Sequence, residues 1–392
     1  MRLLALTDII IFFIVAFFIG YDLLFVIASF FKRKHTSIQE KKTQYFAVIF
    51  AAYKEDLVIC ESVENFLQQE YPKDKYQVVV VSDHMQEETN KALAKLPINL
   101  MIPNFEQSMK HRSITYALDR LDGFDRIVIL DADNLVEKDF LKNINESTQS
   151  GIVLQAHRTH KNANTPVAIW DGISEEINNT IYRKGRVNMG ISSALIGSGM
   201  IFDFEWLKQN MRKCDTFAED KELEIFLASE NIFVDYANDI FVYDEKTSKQ
   251  EVMLRQRSRW FHAQILAFSI INHHLSLHSL NKNYIDKIIQ WIPFPRVLKF
   301  LVIFIILSIE SIVAFSFATK WYILLIIGIL TYLSAIPKKM YTKDFGISTF
   351  KFPYLIIVLI KSYIISLYRI KNNDISFQNT PHDIISKKTT HE

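Results

Sequence analysis

Apolar residues crowd the two ends of this chain and alternate with polar ones through its middle. Ile9 to Phe31 is a nearly unbroken apolar run. At ~1.5 Å per residue, a helix of that length crosses a hydrocarbon core of ~30 Å. Leu301 to Thr319 and Trp321 to Ile336 are two more runs of spanning length, and the link between them is short enough to require a hairpin. Pro353 to Ile370 is less uniform: it contains Lys361, and Ser362, Ser366 and Arg369 fall at i, i+4 and i+7 on one helical stripe. It reads as a helix lying in a membrane interface, with a fourth full span as the alternative.

The middle, from about Lys32 to Asn283, has the pattern of a folded domain. Tyr45–Ala52, Tyr76–Val81, Ile98–Ile102 and Arg126–Leu130 are short, continuous apolar runs that predict buried strands. Helical spacing over Glu55–Gln69, a polar helix-forming segment after Val81, and Ser108–Leu121 separate them. This alternation predicts an α/β fold with a mostly parallel sheet covered on both faces. In such sheets ligands collect at the carboxyl ends of the strands. Met253 to about Asn272 predicts an amphipathic helix at a membrane surface, just ahead of the hairpin, with its arginines available to lipid phosphates.

Charge narrows this picture. The net charge is only +2, so neither nucleic acid nor another polyanion is implied as a partner. The first apolar run ends at Lys32-Arg33-Lys34 with Lys41-Lys42 behind it, and the hairpin returns to Lys338-Lys339. Those flanks predict an integral membrane protein, in a plasma or inner membrane, with its middle domain in the cytoplasm. A cleaved signal peptide has a shorter apolar stretch and a small-residue cleavage site. Two distant cysteines, Cys60 and Cys214, have no metal-ligand spacing and suit a reducing compartment. The histidines at 262, 273, 274 and 278 fit no zinc pattern and read as interfacial polar residues. Asp22 and Glu310 stand inside apolar runs, either as neutral acids bonded to a neighbouring helix or as a polar seam for an acceptor.

Candidate chemistry sits where the strands end. Asp83 follows the second strand, and Asp131-Ala132-Asp133 follows RIVIL directly. Asp83 alone could cap a helix. Two acids one residue apart after a buried strand suit a hard divalent cation, Mg2+ or Mn2+, completed by substrate phosphates.

In order along the chain, a series of elements resembles the GT-A-fold, family-two glycosyltransferases, in particular the membrane-embedded branch of cellulose, hyaluronan and chitin synthases and ceramide glucosyltransferases. Ala52-Tyr53-Lys54-Glu55 resembles its opening nucleotide-contact motif, with Lys54 where Asn is usual. Val81-Ser82-Asp83, then Glu87 and Thr89, is similar to the uracil-contacting segment, with Glu87 for the common Asp. Lys110 with Ala117-Leu118 resembles the Lys-x-x-Ala-Leu-Asn helix, although Ser113 and Thr115 depart from it. Asp131-Ala132-Asp133 matches the metal motif. Gly197-Ser198-Gly199-Met200, then Thr216-Phe217-Ala218-Glu219-Asp220, resembles the acceptor-side glycine turn and Glu-Asp motif, and Gln256-Arg257-Ser258-Arg259-Trp260 reproduces Gln-x-x-Arg-Trp. Phe377-Gln378-Asn379-Thr380-Pro381-His382 is similar to the branch's terminal Thr-Pro element.

The resemblance implies a Rossmann-like GT-A domain at 43–245, a transmembrane anchor at 1–34, interface helices at 246–295, a hairpin at 296–337, and an interface helix or fourth span with a cytosolic tail at 338–392. It implies a nucleotide-sugar donor, UDP-linked in this branch, contacting Tyr53, Glu55, Asp83, Lys110, Asp131 and Arg259. It further implies Mg2+ or Mn2+ on Asp131 and Asp133, Asp220 as the base of an inverting transfer, and acceptor contacts from Gly199, Glu219, Gln256 and Trp260. Acceptors in the branch are glycans or membrane lipids, so polysaccharide assembly and single addition to a ceramide- or diacylglycerol-type lipid both remain open, as do a homo-oligomer and an export partner. Lys54 and Glu87 leave a catalytically silent, nucleotide-binding membrane scaffold as a third reading.

Overall fold

The computed structural model describes residues 2–31, 42–147, 153–273, 280–313 and 315–372. The basic flank at 32–34, Lys41, the histidines at 274 and 278 and the 377–382 element lie outside them. A long helix α1 (Arg2–Ser29) precedes β1 (Phe46–Tyr53), α2 (Ile59–Phe66), β2 (Tyr76–Asp83), α3 (Glu87–Leu93), β3 (Asn99–Met101), α4 (Lys110–Leu118) and β4 (Arg126–Asp131). Then follow β5 (Leu135–Val136), α5 (Phe140–Ser147), β6 (Val153–His160), and α6 (Pro166–Asn178), which runs through a π-helical turn at Asn179–Gly185 into α7 (Arg186–Asn188). β7 (Met200–Asp203), α8 (Phe204–Asn210), α9 (Glu219–Ser229) and β8 (Val234–Asp244) complete the domain. The remainder is helical: α10 (Gln250–His273), α11 (Lys282–Trp291), α12 (Arg296–Val313), α13 (Phe315–Ser334), α14 (Lys343–Ser348) and α15 (Phe352–Lys371).

All four strands read from the apolar runs are present, and they pair in parallel as β3-β2-β1-β4. The sheet then continues β7-β6-β8-β5, with β7 antiparallel to both its neighbours and β5 antiparallel to β8. The sheet is therefore mixed, more so than the sequence suggests. Side chains alternate between its faces. Val48, Phe50, Val78, Val80 and Leu130 pack under α2 and α5, while Ile49, Val79, Val81 and Ile129 pack against α4, α8 and α9. The register sets Tyr53 opposite Asp83 and Ala51 opposite Asp131. Both acidic strand ends therefore reach one edge.

Among the described residues, Ala5–Ser29, Phe317–Ser334 and Lys343–Lys371 are long and apolar enough to cross a membrane, and Lys282–Trp291 with Arg296–Ile312 forms a pair bent by 56°. The last helix thus has the length and composition of a span, although its polar stripe suggested an interface. That stripe serves helix packing: Ser362 and Ser366 are buried, and Ser362 Oγ donates to the Leu254 carbonyl of α10 at 3.3 Å. Asp22 bonds to neighbouring helices. It accepts from Lys299 Nζ at 2.7 Å and Tyr332 OH at 2.6 Å, tying α1, α12 and α13 together. Glu310 lies beside the ion pair of Asp8 and Lys320.

The first helix docks on the π-helical turn by backbone contact. A Cβ at Gly185 would lie 2.1 Å from the Phe25 carbonyl oxygen, a distance no packing adjustment of side chains can relieve. Gly185→Ala is expected to displace α1 and destabilise the protein by about 1–3 kcal/mol. Gly20→Ala, whose Cβ meets nothing within 4 Å, is the control, and thermal unfolding in detergent compares them.

Candidate active site

A cavity of about 700 Å³ opens at the carboxyl edge of the parallel strands. Tyr53, Glu55, Asp83, Asp131 and Asp133 line it from the sheet, Lys110 from α4, Glu219 and Asp220 from α9, and Gln256, Arg259 and Trp260 from α10. Residues separated by some two hundred positions therefore share one space.

At the sheet end, Asp83 is buried; Oδ1 lies 2.6 Å from His84 Nδ1, while Oδ2 has no hydrogen-bond partner among the described residues. An orphaned buried acceptor calls for a ligand N–H. Lys54, beside Tyr53, has φ of +56°, a left-handed conformation that suits Asn or Gly better than Lys. That backbone requirement gives the departure at this position a physical meaning. Glu87 pairs instead with Lys91 at 2.6 Å on an exposed helix face.

Lys110 forms an ion pair with Asp131 and donates to the Gly197 carbonyl at 2.7 Å. Burial opposes its charge, but Asp131 and Glu219 outweigh it and hold the ammonium above its usual range. Asp133 accepts from the Glu245 backbone N–H at 2.9 Å and from Asn134 Nδ2 at 3.1 Å. Among the described residues no three His, Cys, Asp or Glu side chains converge to cage a metal. Two hard carboxylates facing an open cavity do fit a cation that keeps waters and takes diphosphate oxygens to complete its shell.

The loop before α9 is held rigidly. Glu222 Oε1 accepts from Thr216 N at 2.8 Å, and Glu222 Oε2 from Asp215 N at 3.1 Å. Asp220 sits in the first turn of α9, with Oδ1 accepting from Lys221 N at 2.9 Å and Oδ2 3.3 Å from Lys221 Nζ. Burial pushes Glu219 up to about 7, against the charge of Lys110 and reinforced by Asp220. For an acid raised from 4.5, the folded state holds a proton that the unfolded chain has lost between those two values. Stability contributed there falls as pH rises from about 4.5 to 7. Glu219→Gln removes the loss, so in chelator-treated, nucleotide-free protein it is expected to be about 2 kcal/mol more stable than the parent at pH 8. The difference should shrink toward pH 5, and denaturant melts at the two pH values measure it.

On α10, burial lowers the affinity of Arg259 for its proton, while Glu219, Asp131 and Asp220 hold it charged. This guanidinium thus lies within electrostatic reach of both acidic groups. Gln256 Oε1 has no partner. One face of the Trp260 ring carries the Arg257 guanidinium, 4.5 Å from its centroid. Arg257 itself is buried and paired with Asp171 of α6, so it is not available to lipid phosphates as the sequence suggested. His262 is likewise buried against Phe217, at 5.1 Å between ring centroids, and is not interfacial.

Of the sequence-derived site residues, only Gly199 stays out of the cavity. Its φ is +63°, its N–H donates to Ile129 and its carbonyl accepts from Ala156 N. It turns the chain into β7, while Gly197, φ +78°, meets the cavity. Sequence reasoning missed Asn134 and Ser198, which hydrogen-bond each other and the Asp131 N–H. It also missed the buried group of Arg158, Glu175 and Arg183. Asn134 directly follows the acidic pair and was the one legible signal.

An acidic pair after a buried strand, a cavity with an orphaned acceptor, and an acid-opened helix across from it describe a nucleotide-sugar glycosyltransferase with a GT-A-like sheet. Residues 43–263 match the glycosyltransferase like family 2, more than half of the chain, and the chain belongs to that family. Among solved structures it is similar to the mannosyltransferase PcManGT from Pyrobaculum calidifontis in complex with GDP-Man and Mn2+, with a TM-score of 0.58, 17% identity and coverage of 90% of this chain and 98% of that one. That likeness concerns the fold. Weaker likenesses are to S. aureus TarS 1-349 with UDP-GlcNAc (TM-score 0.44, 15% identity, 84% and 92% covered) and to glucosyl-3-phosphoglycerate synthase from Mycobacterium tuberculosis with Mn2+, UDP and PGA (0.40, 12%, 61% and 84%). No curated protein sequence matches the chain.

Proposed function

We propose that this protein transfers a sugar, with inversion, from a UDP-linked donor to a glycan or lipid-linked acceptor at the cytoplasmic face of a membrane. The observation that carries the reading is the gathering of Asp83, Asp131, Asp133, Asp220 and Arg259 around one cavity. Asp83 Oδ2 accepts a ring N–H of the base, and Tyr53 and Glu55 flank the nucleoside. Asp131 and Asp133 would hold Mg2+ or Mn2+, which when bound would supply positive charge against the leaving diphosphate. Arg259 and Lys110 bring fixed positive charge to the same diphosphate. Asp220 takes the proton of the acceptor hydroxyl as its oxygen bonds to the anomeric carbon; the bond to the diphosphate breaks with its electron pair on the leaving oxygen. Trp260 offers the acceptor sugar an apolar ring face, Gln256 Oε1 accepts from one of its hydroxyls, and the raised Glu219 carboxyl adds a second polar contact. Basic flanks of the apolar runs support the cytoplasmic orientation.

A hydrolysis screen of nucleotide sugars, with purified protein and no acceptor, tests the donor half. UDP-sugars should be turned over, EDTA should stop turnover, Mn2+ should restore it, and Asp133→Asn should lower it at least about 10-fold. Undiminished hydrolysis in EDTA would remove the metal from this reading. In membranes carrying the acceptor, a ladder of products indicates polymer synthesis and a single lipid-soluble product indicates one addition.

A further inference from the structure

The cavity continues beyond the carboxylates onto helices of membrane character, where Phe18 and Asp22 of α1 and Phe294, Arg296 and Lys299 at the α11–α12 bend line it. Five cations gather at this end: Arg158, Arg183, Arg186, Arg296 and Lys299. Three carboxylates answer them. Glu175 is shared by Arg158 at 3.0 Å and Arg183 at 3.3 Å, Asp286 holds Arg186 at 2.8 Å, and Asp22 holds Lys299 at 2.7 Å. The Arg296 guanidinium bonds to neutral partners, Ser174 Oγ at 3.1 Å and Asn178 Oδ1 at 3.0 Å.

In direct ion pairs the five cations thus meet three carboxylates, with Asp244 and Asp131 also acting on Arg158 and Glu224 on Arg183 from farther away. Among the described residues Arg158 Nε, Arg183 Nε and Arg186 Nη2 lack a hydrogen-bond acceptor and Glu175 Oε1 lacks a donor; Arg183 and Arg186 are 2% and 0% exposed. Buried guanidinium N–H groups without acceptors are costly, and an oxyanion taking charge-assisted hydrogen bonds is their natural complement. The rim supplies the rest of the ligand's description. Outside the cavity α1, which is long and apolar enough to cross a bilayer, and α12, one half of the bent pair, expose Phe13, Phe17, Phe304 and Ile305.

We propose that this end of the cavity is the acceptor subsite, and that the acceptor is a membrane lipid whose head group carries a phosphate held by Arg296, with Arg183 and Arg186 behind it. The proposal rests on the reading of Asp220 as base: the phosphate is a handle, and a hydroxyl of the same head group faces Asp220.

Dodecyl phosphate is the probe, with binding to the full chain measured in uncharged maltoside micelles. It should bind saturably, dodecyl glucoside should not compete at equal concentration, and a hundredfold excess of inorganic phosphate should not displace it. Arg296→Gln should weaken binding about 10- to 100-fold, and Arg296→Lys less. Equal binding of the glucoside, or unchanged affinity in Arg296→Gln, overturns the proposal. Displacement by inorganic phosphate at equal concentration assigns the site to a free anion and overturns the lipid. Should Arg296→Gln fail to fold, the phosphate-against-glucoside comparison on the parent protein decides alone. Nucleotide-sugar binding in the same preparations reports separately on the donor site, so its loss with dodecyl phosphate binding intact would sink the functional reading and not the subsite.

Discussion

Asp220→Asn is expected to lower turnover by about 10²–10⁴-fold while nucleotide affinity changes by less than about twofold. Asparagine has nearly the shape of aspartate and keeps an oxygen for the Lys221 N–H, which now lies 2.9 Å from Oδ1. The start of α9 should therefore persist, and the Glu222 bonds to Thr216 and Asp215 hold the preceding loop regardless. What the amide loses is the ability to take a proton. Steady-state kinetics with calorimetric titration of nucleotide separates the two quantities. A variant retaining more than a tenth of parental turnover would remove Asp220 from the base role, and Glu219, held near neutrality by burial, would become the candidate.

Asp286→Ala should carry the largest stability cost, about 3–5 kcal/mol. Asp286 is buried and accepts from Arg186 Nε at 2.8 Å and from Tyr21 OH at 2.5 Å. Arg186 is fully buried, its guanidinium carbon 4.3 Å from the Phe25 ring centroid and 4.9 Å from that of Tyr182. Removing the carboxylate strands a charge among aromatic rings. The double variant Arg186→Met/Asp286→Leu removes both charges and should recover most of the loss, since a buried ion pair costs nearly as much to desolvate as it returns. Thermal unfolding of the three variants in detergent measures this. If Asp286→Ala and the double variant melt alike, the stranded Arg186 charge is not the source of the loss.

How far each feature could be read depended on what kept it in place. β1, β2 and β4 were legible because buried parallel strands need uninterrupted apolar residues, and an acid directly after one needs a reason to be there. β6 left no such trace. Its interior side chains include Gln155, His157, Arg158 and Thr159, all buried. Arg158, Thr159 and His157 are tolerated because Glu175, Glu176 and Asn179, from the helix that follows, bond to their side chains, and Gln155 because its amide donates to the Ser198 and Gly199 carbonyls. A polar strand reads as a surface segment until its partners are known. Arg257 misled for the same reason: beside Arg255 and Arg259 it looks like one more cation for a lipid surface, and only Asp171, 86 positions away, accounts for its burial.

By itself, the sequence determined α1 and α13 as helices of spanning length, the parallel half of the sheet and the acids at its edge. All of these follow from local periodicity and from chemistry adjacent in the chain. Tertiary structure alone decided that α9 and α10 turn their acids and Arg259 toward that edge, that Gly199 serves the sheet and not the cavity, and that Asp22 pairs with Lys299. Those outcomes depend on which distant groups desolvate and neutralise one another, and no pattern within a single segment encodes that pairing.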